Sequence, residues 1–128
     1  MITPEHVRDV VDRYCKAQAD KDRVAWLALF APDATQEDPV GAPVHQGHEA
    51  LGAFFDATAA KMDIVLSATS APIVAGNEAI AFLQVHIGSG SERVLLAPIV
   101  EHLVFDEAGL ITSVRAFLDP ASARPDPE

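Results

Sequence analysis

The chain changes texture at Ile64, and that change limits what it can fold into. Beyond it, residues 64–68, 79–87, 93–105 and 110–118 are rich in Val, Ile, Leu and Phe. Gly76-Asn77, Gly88-Ser89-Gly90 and residues 106–109 punctuate these runs as hairpin turns. Before Ile64 the apolar residues recur at helical spacing instead. Thr3 reads as an N-cap with Pro4 at the first helical position, and Val7, Val10, Val11 and Tyr14 then fall at i, i+3, i+4, i+7. A second helical pattern, capped by Asp22, carries Trp26, Leu27, Leu29 and Phe30 and stops at Pro32-Asp33. A third follows Gly47, with Leu51, Phe54, Phe55 and Thr58 in phase. Helices first and an antiparallel meander after them predict an α+β fold, three helices packed on one face of a curved antiparallel sheet. The tail from Pro120, with Pro125 and Pro127 following, cannot add a central strand and reads as frayed, which leaves one domain over residues 1–119.

Composition narrows the function. A chain of 128 residues can bury a real core, and no apolar run approaches the roughly 18 residues of a membrane span. The N-terminus lacks the basic-then-apolar order of a signal peptide, so a cytoplasmic protein off the membrane is expected. The single cysteine, Cys15, excludes an internal disulfide, and no Cys/His cluster has zinc-ligand spacing, so no metal is expected. Nine Lys and Arg stand against nineteen Asp and Glu, a net charge of −10 that opposes phosphate backbones. Nucleic acid is therefore an improbable partner, and a small ligand should be neutral or apolar.

Two places carry candidate chemistry. Glu37 and Asp38 are adjacent on a strand-like stretch that ends at Pro39-Val40-Gly41. Strand side chains alternate faces, so only one of the two carboxylates can point inward, where an apolar shell would make it a proton carrier. A solvated turn carboxylate is the competing reading. Further on, alternation puts Ile99, Glu101, Leu103 and Phe105 on one face and Val100, His102 and Val104 on the other. A carboxyl among Ile, Leu and Phe must be paired, exposed at the sheet end, or held neutral. Both faces of this strand are apolar, so alternation does not decide which one lines a cavity. Tyr14 lies on the apolar side of its helix, where its hydroxyl needs a partner. Of the five histidines, only His86 and His102 interrupt strands where they could line a cavity.

Further stretches run nearly end to end: Thr-Pro-Glu-His at 3–6, Arg13-Tyr14, Ala28-Leu29-Phe30-Ala31, Asp33-Ala34-Thr35 and Glu37-Asp38-Pro39-Val40-Gly41. Ala81-Phe82, Ala97-Pro98-Ile99 and Val114-Arg115-Ala116 complete them. With these the chain resembles the Δ5-3-ketosteroid isomerases, of the nuclear transport factor 2-like, cone-shaped α+β fold. The resemblance implies that the helices lie on the concave face of the sheet and that Asp38 shuttles a proton between two carbons of a steroid. It implies that Tyr14 is one donor of an oxyanion hole. The second donor has two placements: anchored on His102 and Phe105 it falls on Glu101, anchored on Ala97-Pro98-Ile99 it falls on Val100. One residue inserted within 88–100, or a bulge, separates the two. Glu101 is preferred as the only protonatable carboxyl there. Phe55 stands where some relatives carry a tyrosine bonded to the oxyanion-hole tyrosine. The resemblance further implies walls built from Phe30, Phe54, Phe55, Val65, Phe82, Val100 and Phe117, with His86 where a relative has an apolar residue. It implies no cofactor, and a homodimer packed through the sheet. Polyketide cyclases, epoxide hydrolases and dehydratases also resemble this fold, and a non-catalytic apolar pocket is a third reading.

Overall fold

The computed structural model describes residues 2–127. Helix α1 spans Pro4–Asp20 and starts as its residues dictate, with the Thr3 hydroxyl accepting from the His6 N–H at 3.1 Å. Its buried residues, Val7, Val10, Val11, Tyr14 and Ala17, form the face that the periodicity marks. Helix α2, Arg23–Leu27, is capped by Asp22 and ends sooner than the sequence pattern suggests. Leu29 and Phe30 leave the helix because the sheet claims them: the Leu29 carbonyl accepts from Ile111 N–H at 2.9 Å, and Phe30 opens strand β1, Phe30–Glu37. A two-residue strand β2, His45–Gln46, precedes α3, Gly47–Lys61.

Four long strands follow: β3 Asp63–Ala75, β4 Glu78–Ser89, β5 Glu92–Phe105 and β6 Ile111–Phe117. The sheet order is β2-β1-β6-β5-β4-β3. Its pairings are antiparallel except β1 with β6, which run parallel and join the N-terminal half of the chain to the meander. Pro72 sits in β3, an edge strand, where a missing N–H costs no ladder bond, and the β3–β4 register shifts around it. The segment read as a frayed tail has structure of its own. Residues Pro120–Ser122 form a 3-10 turn, and β7, Arg124–Pro125, pairs antiparallel with Val94 and Leu95 of β5.

The three helices and the curved sheet enclose one core, with Trp26, Phe30, Phe105, Leu51, Ile111, Val7 and Val114 as its largest fully buried side chains. The 106–109 turn is tied back to α1 by His6 Nε2 at 2.7 Å from the Gly109 carbonyl oxygen. Among the described residues no helix is long and apolar enough to cross a membrane.

One irregularity matters for the site. Leu83 pairs with Ile99 and Val85 with Leu96, so β4 advances two residues while β5 advances three. The extra residue lies at Ala97-Pro98, a bulge inside β5. From Ile99 onward the strand resumes strict alternation, with Ile99, Glu101, Leu103 and Phe105 buried and Val100, His102 and Val104 less so. The bulge falls within the upstream anchor, the strand is regular through the downstream one, and Glu101 faces inward.

Candidate active site

Strand β1 sends Ala34 and Gln36 inward and Glu37 outward, and Asp38, the residue just after the strand, lines the cavity. Glu37 is pinned on the outer side: its Oε1 accepts from Arg115 Nε at 2.9 Å and its Oε2 from the Gly41 N–H at 3.0 Å. Those two bonds, the Gly41 one first, hold its carboxyl below the usual range. The Val40 N–H adds a bond to the Ala116 carbonyl at 2.8 Å. The turn after β1 is thus clamped by Glu37, which leaves Asp38 aimed into the cavity. Asp38 has no such partner, and burial pushes its carboxyl above the ordinary aspartate value.

Tyr14 comes up from α1 on the opposite wall, 6% exposed, among the rings of Trp26 and Phe30. Burial, then the nearby Glu101 and Asp38 charges, hold its phenol well above its normal value, so it stays an O–H donor. Glu101, 5% exposed, is pushed up to about 8, chiefly by burial and then by the Asp38 charge; the Tyr14 hydroxyl works against the shift. The site thus sets the Asp38 carboxyl in one cavity with the Tyr14 hydroxyl and with a Glu101 carboxyl that burial disposes to hold its proton.

These three side chains open onto a cavity of about 310 Å³. Phe54 and Phe55 line it, as the sequence suggests. The other expected walls do not. Phe30 is core behind the site, 4.6 Å from the Trp26 ring by centroid. Val65, Phe82, His86, Val100 and Phe117 lie on the outer face of the sheet, and Val65 and Phe117 are 53% and 41% exposed. Parity explains four of these at once. Ile64 and Leu66, Val85 and Ile87, Ile99 and Glu101, and Ala116 and Leu118 all line the cavity, so the residue between each pair must face away. Phe82, between buried Ala81 and Leu83, is outward for the same reason. His86 instead meets Asp126 of the tail, its Nδ1 2.7 Å from Oδ2, and His102 Nε2 meets Glu78 Oε1 at 2.6 Å, so neither histidine lines the cavity.

Leu96, Met62, Thr58, Gln18, Trp26 and Gln36 also line the cavity, and none was singled out as a site residue from sequence. Gln36 was within reach: it sits two positions before Asp38 on the same strand face. Two of these carry buried polar atoms with no hydrogen-bond partner, Trp26 Nε1 and Gln36 Oε1. Cys15, next to Tyr14, is chemically quiet, its thiol pushed up to about 12 mainly by burial.

Comparison with known proteins fits this geometry. Residues 11–114 match the SnoaL-like domain family. The chain is 43% identical over 115 residues to a Steroid Delta-isomerase of Nocardioides simplex, covering 89% of this chain and 90% of that protein. Among solved structures, RV0760c from Mycobacterium tuberculosis superposes with a TM-score of 0.84 at 25% identity, covering 97% of this chain and 98% of its own. The epoxide hydrolase/cyclase-like enzyme SalBIII, of pyran ring formation in the polyether salinomycin, shares the fold at 21% identity and a TM-score of 0.82, covering 93% and 95% of the two chains. The match over most of its length, beside 43% identity to the Steroid Delta-isomerase of Nocardioides simplex, shows that this chain belongs to the SnoaL-like domain family.

Proposed function

We propose that the protein is a cofactor-independent steroid Δ5-isomerase, moving a β,γ double bond of a 3-ketosteroid into conjugation. The observation that carries this is the meeting of three polar side chains, Asp38, Tyr14 and Glu101, in one largely apolar cavity, with Tyr14 and Glu101 both held toward their protonated forms by burial. The kinship to the Nocardioides simplex isomerase supports it. In this reading Asp38 removes a proton from the carbon between the ketone and the double bond. The electron pair moves into the ketone, and the resulting dienolate oxygen takes hydrogen bonds from Tyr14 and Glu101. Asp38 then returns the same proton to the far end of the dienolate, which restores the ketone and leaves the double bond conjugated. Water exclusion keeps that proton on Asp38 between the two transfers. A neutral carboxylic acid as second donor is the arrangement known for ketosteroid isomerases, where an aspartic acid fills the role. Here glutamic acid supplies it, one methylene longer.

The test is an ultraviolet assay on a β,γ-unsaturated 3-ketosteroid, whose product absorbs through its conjugated ketone. No turnover would sink the proposal. The pH profile should be a bell, because the base must be ionised and the donor protonated. Its acid limb lies above the ordinary aspartate value, since burial raises Asp38. Its alkaline limb falls as pH rises through about 8, where Glu101 ionises. The two limbs belong to the interacting pair. Glu101→Gln cannot ionise, so its profile should lose the alkaline limb; a limb that persists would remove Glu101 from the site.

The same proposal includes a homodimer through the outer sheet face. Val65, Phe82, Val100 and Phe117 leave apolar surface there, the kind a soluble monomer seldom exposes. Sedimentation should give twice the chain mass, and Val65→Asp with Phe117→Asp should give the single-chain mass.

A further inference from the structure

Trp26 is 1% exposed, lies on the cavity wall, and its indole N–H has no hydrogen-bond partner among the described residues. An unpaired buried donor costs about 1–3 kcal/mol, so an orphan beside the reacting groups calls for an explanation. Its surroundings give one. The indole packs between Phe30, at 4.6 Å by ring centroid, and Phe55, at 5.0 Å, with the Tyr14 ring at 6.0 Å. Neither phenylalanine can offer Tyr14 a hydroxyl. The indole N–H is the neighbour that opposes the burial and charges holding Tyr14 protonated, close enough to favour charge on the phenol oxygen but short of a bond in the free protein. Bonds of this kind are often long before ligand binds and tighten in the complex.

We infer that Trp26 is a positioning residue of this site, its indole N–H donating to the Tyr14 oxygen while Tyr14 donates to the ligand oxyanion. The inference rests on the isomerase reading. A chain of donors polarises each member in turn, so the indole strengthens the bond that Tyr14 makes as charge develops on the ligand. Trp26 thereby supplies, from α2, the restraint and polarisation that a hydroxyl at position 55 would supply.

The chain has one tryptophan and one tyrosine, so both partners can be followed without ambiguity. The probe is 2-naphthol, whose oxygen becomes a conjugated oxyanion like that of a dienolate when its proton is lost. With 15N-labelled protein, the single indole proton should move downfield and exchange more slowly on binding 2-naphthol, and the shift should vanish in Tyr14→Phe. In the steroid assay, Trp26→Phe keeps the ring and removes the donor; kcat should fall about tenfold with KM unchanged, the loss of one hydrogen bond made in the transition state. An indole proton that 2-naphthol leaves in place overturns the inference, as does a Trp26→Phe protein whose KM rises at constant kcat, the mark of a plain wall residue. Should Trp26→Phe fail to fold, the indole resonance of the native protein decides. Should the native protein not isomerise steroids, the isomerase reading falls, and the resonance still decides whether Trp26 engages Tyr14.

Discussion

Asp38→Asn should lower steroid isomerisation by about 10⁴-fold, the upper end of what a positioned base contributes, because in the proposed mechanism one carboxylate performs both proton transfers. The fold should survive the change. Asp38 makes none of the bonds that hold the end of β1; Glu37, Arg115 and Gly41 make them. The sign of the stability effect follows from burial. The folded chain holds the Asp38 proton more tightly than the unfolded chain does, so stability falls as pH rises from the ordinary aspartate value through the raised one. Above that window the ionised carboxylate is a standing cost that asparagine lacks. Thermal unfolding at neutral pH should therefore occur at the same or a higher temperature in the variant. Binding of the conjugated ketone product should change little. Turnover that survives Asp38→Asn would remove the proton shuttle from the proposal, and an unfolded variant would contradict the role given to Glu37.

Tyr14→Phe should cost about 10²–10³ in kcat, the usual consequence of deleting one oxyanion-hole donor. The loss should appear in kcat more than in KM, since the bond strengthens as the ketone becomes a dienolate. Because the Tyr14 hydroxyl holds the Glu101 carboxyl down, its removal should also move the alkaline limb to higher pH. Tyr14 itself stays protonated at every working pH, whereas Glu101, pushed up to about 8, sets the alkaline limb of the profile. Combining Tyr14→Phe with Glu101→Gln should give less than the product of the single losses, because both donors serve one oxygen. Additive losses, or a KM effect alone, would mean the two groups do not share a ligand atom.

The three polar groups that the cavity brings together were legible in the sequence because each breaks a pattern. Tyr14 is the polar member of a helical stripe, Asp38 the inward half of an adjacent pair, and Glu101 a carboxyl in an apolar run. The walls were not legible, for a reason the strands themselves show. Their outer face is apolar too, with Val65, Phe82, Val100 and Phe117 on it, so hydrophobic alternation has no sign. Only a charged residue of known facing fixes the parity, and Glu101 with the strand pairing fixes it for Phe82, Val100 and Phe117. Trp26 was masked by its helical spacing, which reads as plain core. Phe30 was misassigned to a helix because its fate is set by Ile111, a parallel partner far away in sequence that no local pattern announces.

The bulge at Ala97-Pro98 has a bearing on how such sites diverge. Leu96 and Glu101 both face the cavity although an odd number of positions separates them, which a regular strand forbids. Loss of that one residue would spare the composition of the strand yet require half of it to turn over. The half that turned would offer the cavity Val100 where a carboxylic acid now stands, or withdraw Leu96 from the wall. Chain length at this one point, rather than the choice of side chains, thus decides which residues of β5 meet the cavity.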